Sequence, residues 1–334
     1  MTKVSKILRD SFGREHNYLR ISLTEKCNLR CTYCMPESGV VLSPRSQLMT
    51  TEEVIEFATL FVKNGVEKIR LTGGEPLLRK DFPEILTAIS KLPVQLSITT
   101  NAILVDRHID TFKSCGLRDI NVSLDTLNAN KFDAITKRDH FSKATNNIEL
   151  LLQEDFNIKL NVVLMKSFNE DEIIDFINYT RDKNTTVRFI EFMPFDGNAW
   201  DKSKLVGYDE VLNVAKAHYP ESDLVHLPNE KNFTERNFKI QGYQGSFGVI
   251  STVTNPFCDV CNRIRLTANG KLKNCLFSDG ETDLLTAHRE GKSIEGIIQK
   301  AVKKKKAVRA GMTKEEDFKN RNNHNNRSMI TIGG

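Results

Sequence analysis

The chain has 334 residues, 39% of them apolar and 27% charged, with 48 basic and 43 acidic side chains for a net charge of +5. This balance excludes a disordered or collagen-like chain and leaves enough for two domains or one large α/β unit. No apolar run approaches the roughly 18 residues of a spanning helix, and no signal-type stretch opens the chain, so a cytoplasmic protein with no membrane partner is expected. Seven cysteines, an odd number, argue against a disulfide framework and for a reducing compartment.

Short β-branched runs predict strands over Leu19–Thr24, Lys68–Thr72, Gln95–Thr100, Asp119–Leu124, Ile158–Met165 and Val187–Phe192. Helical patterns fall between them. They cover Glu52–Asn64, Asp81–Lys91, Asp106–Cys115, Lys143–Asp155 and Asp171–Lys183, with Asp209–Ala217 after the last strand. Gly65 and Gly116 close the first and third. Strict alternation predicts a parallel sheet with right-handed crossovers. Six such units make an open sheet or part of a (β/α) barrel, and the period alone does not separate the two. The rhythm changes near Pro220, and Pro228–Gly248 is rich in Asn, Gly and Lys. A boundary is expected there, dividing residues 1–225 from 226–334. The tail holds the run Lys303–Lys306 and the polar stretch Asn322–Arg327, and by composition it is expected to be loosely held. The lysine run lacks accompanying aromatics and reads as a solvated helix face, so no nucleic-acid partner is expected.

Cys27, Cys31 and Cys34 form C-x3-C-x2-C directly after the first strand. Three thiolates on one loop hold a soft metal centre and leave one coordination position open. A structural zinc site would need a fourth ligand from elsewhere. Tyr33 places an aromatic ring beside the open position. Gly73-Gly74-Glu75-Pro76 follows the second strand, where glycine lets the backbone approach a ligand and Pro76 stops the strand.

With these two motifs the sequence resembles the radical S-adenosylmethionine (SAM) superfamily. The resemblance implies a partial (β/α)6 TIM-like barrel and a [4Fe–4S] cluster on Cys27, Cys31 and Cys34. SAM would take the fourth iron, and one electron would cleave it to methionine and a 5′-deoxyadenosyl radical.

A second triplet, Cys258, Cys261 and Cys275, is spaced C-x2-C-x13-C. Arg263 and Arg265 alternate just after Cys261, so an extended chain turns both to one side. Two guanidiniums beside a metal site point to an anion, most simply a phosphate chain. The alternative is a zinc ribbon with a distant fourth ligand and two solvated arginines. Arg20, Arg70, Lys159 and Arg188 stand in otherwise apolar strands, where charge is rarely buried without a partner. Together these cations predict a polyanion inside the barrel. No P-loop is present to hold it.

Several segments narrow the resemblance to the GTP 3′,8-cyclase family of molybdenum-cofactor biosynthesis. They are FGR at Phe12–Arg14, Tyr18–Pro36, Lys68–Arg79, Asn121–Asp125, Arg188–Pro194, Phe257–Phe277 and a closing IGG at Ile332–Gly334. By this resemblance Tyr33, Gly74, Ser123 and Met193 contact SAM. Cys258, Cys261 and Cys275 hold a second [4Fe–4S] cluster whose open iron meets guanine, in a C-terminal auxiliary-cluster domain. Arg20, Arg70, Thr99, Lys159, Arg263 and Arg265 bind GTP, and Arg20, Gly333 and Gly334 serve catalysis, the last two on a tail that enters the site. The implied reaction removes hydrogen from C3′ of GTP and joins C3′ to C8, giving 3′,8-cyclo-7,8-dihydro-GTP. Implied partners are a reducing electron donor and a downstream enzyme that forms cyclic pyranopterin; a homodimer is compatible. A peptide-maturing radical enzyme is the nearest alternative, but such enzymes usually carry more auxiliary cysteines. Two departures stand out. Ala102 replaces the family's usual Gly after Thr99–Asn101, which predicts a slightly different loop, and Asn146–Leu150 lacks the usual Gly-Ile.

Overall fold

The computed structural model describes residues 5–36, 38–228, 232, 234–313, 317, 318 and 327–333. Six strands alternate with helices: β1 (Tyr18–Ser22), α1 (Thr51–Lys63), β2 (Lys68–Thr72), α2 (Phe82–Ile89), β3 (Gln95–Thr100) and α3 (Ile109–Ser114). The series continues with β4 (Asp119–Ser123), α4 (Ala129–Thr136), α5 (Phe141–Gln153), β5 (Asn157–Leu164), α6 (Ile173–Tyr179) and β6 (Thr185–Glu191). Helix α1 shows why the sequence folds this way locally. Thr50 and Glu53 form a reciprocal capping box, and Val54, Phe57, Ala58 and Phe61 bury one face at helical spacing. Gly65, at φ 102°, follows its C-cap Asn64. Truncating Phe57 or Phe61 to Ala would cost about 3–5 kcal/mol.

β1 to β6 lie side by side in sequence order, every pair parallel. A doubly wound sheet reverses its strand order part-way; this one does not, so right-handed crossovers put all the helices on one face. That is the curvature of a partial barrel. After α7 (Tyr208–His218) the chain adds β7 (Leu224–His226), β8 (Arg236–Ile240), β9 (Ser246–Ile250), β10 (Arg263–Leu266), β11 (Lys271–Lys273) and β12 (Thr282–Asp283). β9 joins β6 in parallel and β10 joins β1 in parallel, so the later residues extend both edges of one twelve-stranded sheet. Helices α8 (Leu285–Arg289), α9 (Glu295–Lys303) and α10 (Met329–Ile332) complete the described chain.

The sheet has two unlike faces. Leu19, Ile21, Ile69, Leu71, Ile98, Ile120, Val122 and Leu160 share one hydrophobic core with Phe57, Phe61, Phe82, Phe112 and Phe176 of the helices. The alternate residues face inward and are mostly polar, with Ile190 and Ile250 among the exceptions. Among the described residues no helix is long and apolar enough to cross a membrane. The predicted helix Asp106–Cys115 is divided between a 3-10 turn at Val105–Arg107 and α3. Helix α4 and the strands of residues 224–283 carried too few periodic residues to be read from sequence.

The tail departs from expectation. Lys305 and Arg309 are buried, not solvated. Lys305 donates to the Arg263 carbonyl at 2.8 Å and Arg309 to the Val253 carbonyl at 2.7 Å. Buried cations need such partners, and here backbone carbonyls supply them. Arg327 pairs with Glu281 at 2.9 Å, and Ser328 donates to the Cys34 carbonyl. Asn322–Asn326 lie outside the described residues.

Candidate functional site

Strand register decides which side chains meet on the inner face. Arg265 of β10, Arg20 of β1 and Arg70 of β2 are direct register partners across three parallel strands, and Ser97 of β3 continues the row. A second row runs Thr99, Asn121, Lys159, and a third Ser123, Asn161, Arg188. Arg70 donates to Ser97 Oγ at 3.2 Å and Arg188 to Asn161 Oδ1 at 2.6 Å.

These rows line a cavity of about 410 Å³ that also takes in Tyr18, Met193, Cys258, Cys261, Cys275, Arg263, Lys305 and Met329. Its volume is in the range of sites for drug-sized ligands. The Nε atoms of Arg20 and Arg188 are buried without a hydrogen-bond partner. Burial and neighbouring guanidiniums work against the charges of Arg70, Arg188 and Arg265, and pull Arg20 down to about 10. Burial resists ionisation of Tyr18, yet the charges of Arg70, Arg20, Lys68 and Arg263 draw its hydroxyl down to about 8. The cavity is a region of strong positive potential.

The two cysteine triplets lie at opposite edges of the sheet. Cys27, Cys31 and Cys34 follow the C-terminal end of β1. Cys258 and Cys261 precede β10, and because β10 is parallel to β1 that loop must lie at the N-terminal edge. β11 returns antiparallel and delivers Cys275 to the same edge. Among the described residues no three His, Cys, Asp or Glu side chains converge as on one metal ion. A [4Fe–4S] cubane binds each thiolate through a different iron and so holds its ligands farther apart than a zinc ion does.

The first triplet lines a smaller cavity of about 100 Å³ with Tyr33, Gly74, Ser123 and Asp125; it shares Thr99 and Met329 with the larger one. The glycine pair has a second role here. A Cβ at Gly74 would stand 2.4 Å from the Lys26 carbonyl oxygen, and one at Gly73 2.7 Å from that of Thr24. The backbone of Gly74 donates to Thr24 at 2.7 Å and that of Glu75 to Lys26 at 2.8 Å, so this loop fastens the cysteine loop. Carboxylates then tie neighbouring strand ends together. Glu75 accepts from the Asn101 amide and Thr100 Oγ1, both at 2.8 Å, and Asp125 from the Val163 amide at 2.9 Å and Tyr33 at 2.8 Å. Burial outweighs these bonds and pushes Glu75 up to about 7 and Asp125 up to about 6. Burial likewise pushes Cys27 up to about 11, and Cys31 and Cys34 up as well.

The second triplet sits among cations. Lys305 Nζ is 3.4 Å from Cys261 Sγ. Burial opposes the thiolate, but Lys305 and Arg263 outweigh it and bring Cys261 down to about 6. Arg14 donates to the Cys258 carbonyl at 2.6 Å and is itself held by Asp10 at 2.6 Å. All seven cysteines are free thiols.

Two family profiles match the chain: the radical SAM superfamily over residues 21–180 and Molybdenum Cofactor Synthesis C over residues 185–310. The mitochondrial GTP 3′,8-cyclase of Arabidopsis thaliana is 46% identical over 337 residues, covering 99% of this chain and 84% of that protein. The chain belongs to the GTP 3′,8-cyclase family of the radical SAM superfamily. Molybdenum cofactor biosynthesis protein 1 of Homo sapiens is 46% identical over 323 residues, covering 95% of this chain. The chain spans about half the length of that relative, 50%. Among solved structures, SuiB of Streptococcus suis shares the fold at a TM-score of 0.62 and 14% identity, covering 96% of this chain and 78% of that one.

Against the cyclase family's pattern, the residues carried over by motif fall into two groups in space. Arg20, Arg70, Thr99, Lys159, Arg263, Arg265 and Met193 line the larger cavity. Tyr33, Gly74 and Ser123 line the smaller, and Thr99 belongs to both. Gly333 has φ 77°, and its carbonyl accepts from Arg265. A Cβ there would lie 2.6 Å from Thr72 Oγ1 and 3.0 Å from Ser22 Cβ. Gly334 lies outside the described residues. Sequence reasoning missed Lys305, Asp125 and a role for Arg14; only the matched segments Asn121–Asp125 and Phe12–Arg14 pointed toward the last two.

The two departures from the cyclase pattern touch each other. Ala102 keeps the left-handed backbone, φ 64°, so the loop has the glycine-like path rather than a different one. Asn147 Nδ2 donates to the carbonyls of Ala102 at 2.7 Å and Ile103 at 3.1 Å, and to Asp106 Oδ1 at 3.2 Å. A buried amide from one departure thus steadies the strained turn of the other.

Proposed function

We propose that the chain is a GTP 3′,8-cyclase that forms 3′,8-cyclo-7,8-dihydro-GTP, an early step toward molybdopterin, in a reducing compartment. The observation that carries this is the in-register row Arg265–Arg20–Arg70, walled by one cysteine triplet at each edge of the barrel. Cys27, Cys31 and Cys34 would hold one [4Fe–4S] cluster and Cys258, Cys261 and Cys275 another, three thiols each with one iron left open. The donor sets fit, since each triplet consists of three free thiols that line one cavity. With SAM bound, the cluster held by Cys27, Cys31 and Cys34 would supply the one-electron chemistry that starts removal of hydrogen from C3′ of GTP.

The remaining steps rest on the chain's own residues. Arg20, Arg70, Lys159, Arg263 and Arg265 bind the triphosphate and fix the ribose relative to Thr99, where the two cavities meet. Tyr33, Gly74, Ser123 and Met193 position SAM across the same junction. Met329, which lines both cavities, and Ile330, which lines the smaller, shield the reacting carbon from water. Arg265 fixes Gly333 against Ser22 and Thr72, which places the tail over the strand ends and keeps C3′ in line with C8. Residues 1–225 carry the SAM part and 226–334 the auxiliary cluster. An external reductant and an enzyme that converts the product to cyclic pyranopterin are the partners this chemistry requires.

The test is anaerobic reconstitution followed by incubation with reductant, SAM and GTP, with products read by mass spectrometry. About eight iron atoms per chain and a GTP isomer bearing the C3′–C8 bond are expected. Stoichiometric zinc without iron, or SAM cleavage without any nucleotide product, refutes the reading.

A further inference from the structure

Nine cationic side chains line the larger cavity, and among the described residues one carboxylate does, Glu235. It stands just ahead of β8, far in sequence from the strands it meets. Its Oε1 is 3.2 Å from Lys159 Nζ on β5 and 3.6 Å from Arg188 Nη1 on β6. The Glu235 and Arg188 side chains are 9% and 7% exposed, so that pair forms out of bulk water, where charge interactions are strong, while Lys159, 41% exposed, approaches from the solvent side.

The local chain is built to seat it. Thr234 accepts from Arg263 Nη1 at 2.8 Å, which ties the segment to the auxiliary edge. On the other side Gly248 is the register partner of both Arg188 and Asn237. A Cβ at Gly248 would lie 2.4 Å from Asn237 Oδ1 and 3.3 Å from Glu235 Cβ, so the glycine lets this segment close onto the sheet. Burial resists the charge of Glu235, but Arg188, Lys159 and Arg70 outweigh it and hold the carboxyl down to about 2.

Other cations at the cavity wall use partners outside it: Lys68 pairs with Asp119 at 3.6 Å and Lys273 with Glu281 at 3.6 Å. Among the described residues, Lys159 and Arg188 are the two paired with a carboxylate that itself lines the cavity. We propose that Glu235 is a resident counter-anion that competes with the triphosphate for Lys159 and Arg188, and so sets the affinity and charge selectivity of the nucleotide site. This deepens the cyclase reading and rests on it for the identity of the nucleotide. Without Glu235 the cations would be left to repel one another, and an incoming polyanion would relieve that repulsion. With it, each phosphate must displace or tolerate a fixed negative charge.

The experiment measures equilibrium binding to the reconstituted protein at fixed ionic strength, for GTP, GDP, guanosine and inorganic triphosphate. Glu235→Gln is expected to bind GTP about tenfold more tightly, the value of one charge-assisted contact at its lower end. The gain should be smaller for GDP and nil for guanosine. Glu235→Asp, which keeps the charge, is expected to stay near the wild type. Equal or weaker GTP binding by Glu235→Gln overturns the proposal, because a positioning role for Lys159 and Arg188 gives that sign. An equal gain for guanosine also overturns it. Inorganic triphosphate separates the two readings. If the wild type binds it but not GTP, the cyclase reading fails while the counter-anion is still tested by the charge series.

Discussion

The loop after β1 and the loop before β10 each bring cysteines to the barrel, yet their surroundings carry opposite charge. Glu75 and Asp125 stand around the first. Arg263 and Lys305 stand around the second. Burial, reinforced by Glu75, pushes Cys27 up to about 11, and burial raises Cys258 too, but Lys305 and Arg263 bring Cys261 down to about 6. Cysteine spacing thus says that a centre can form, while the neighbours say what it can meet. A sulfonium and an ammonium suit the carboxylate edge, and a triphosphate suits the guanidinium edge.

The strongest way to break this comparison is to remove one triplet at a time. Cys27→Ala is expected to abolish SAM cleavage, whereas Cys258→Ala should keep uncoupled cleavage and lose the cyclised product. Formation of 5′-deoxyadenosine and of product are the two readouts, and equal loss of both in both variants would erase the division.

Next in size is the contact between edge and tail. Gly333→Ala puts a Cβ 2.6 Å from Thr72 Oγ1 at a left-handed position, and Arg265→Ala removes the donor to the Gly333 carbonyl. Both should cut product formation by about a hundredfold through misplacement. They differ in binding: GTP affinity should fall roughly tenfold or more for Arg265→Ala alone. A matching affinity loss in Gly333→Ala would assign the tail to binding instead of placement.

A smaller effect concerns the wall of the carboxylate edge. Asn147→Ala removes the amide donor to the carbonyls of Ile103 and Ala102, leaving the latter only the Val105 amide at 3.4 Å, at about 1–3 kcal/mol. Ala102→Gly relieves a left-handed alanine worth about 1–2 kcal/mol. Chemical unfolding of the two variants should therefore move in opposite directions, with iron content unchanged. Stability that moves the same way in both would show that the two departures are unrelated.

The smallest and most direct gauge of the cationic edge is Tyr18. Its folded value of about 8 lies below the ordinary 10.0, so the fold favours the ionised form. Stability from this group should appear as pH rises through 8 and be complete above 10. The tyrosinate absorbance that Tyr18→Phe removes should titrate near 8, and bound GTP should move it upward by neutralising the cations. A titration near 10 would mean that the positive potential is screened.

Much of this was legible in sequence because it is local. Alternating β-branched and amphipathic runs gave strands such as Lys68–Thr72 and Gln95–Thr100 at their observed bounds. Thiol spacing needs no partner to be recognised, and a charged residue inside an apolar strand is anomalous on its own. Three things were not legible. Period cannot distinguish an open sheet from a barrel, because both bury the same face; strand order decided it. Composition marked the tail as loose, but Lys305 and Arg309 are buried by carbonyls of residues 263 and 253, which no local rule connects to them. Register alone made a row of Arg265, Arg20 and Arg70, since a shift of one residue would have turned each guanidinium into the apolar face. The sequence by itself determined which candidate groups the chain offers, because donor type and spacing are properties of the chain. Only the tertiary structure decided their electrostatic company, because a neighbouring charge acts through distance in space and not through position along the chain.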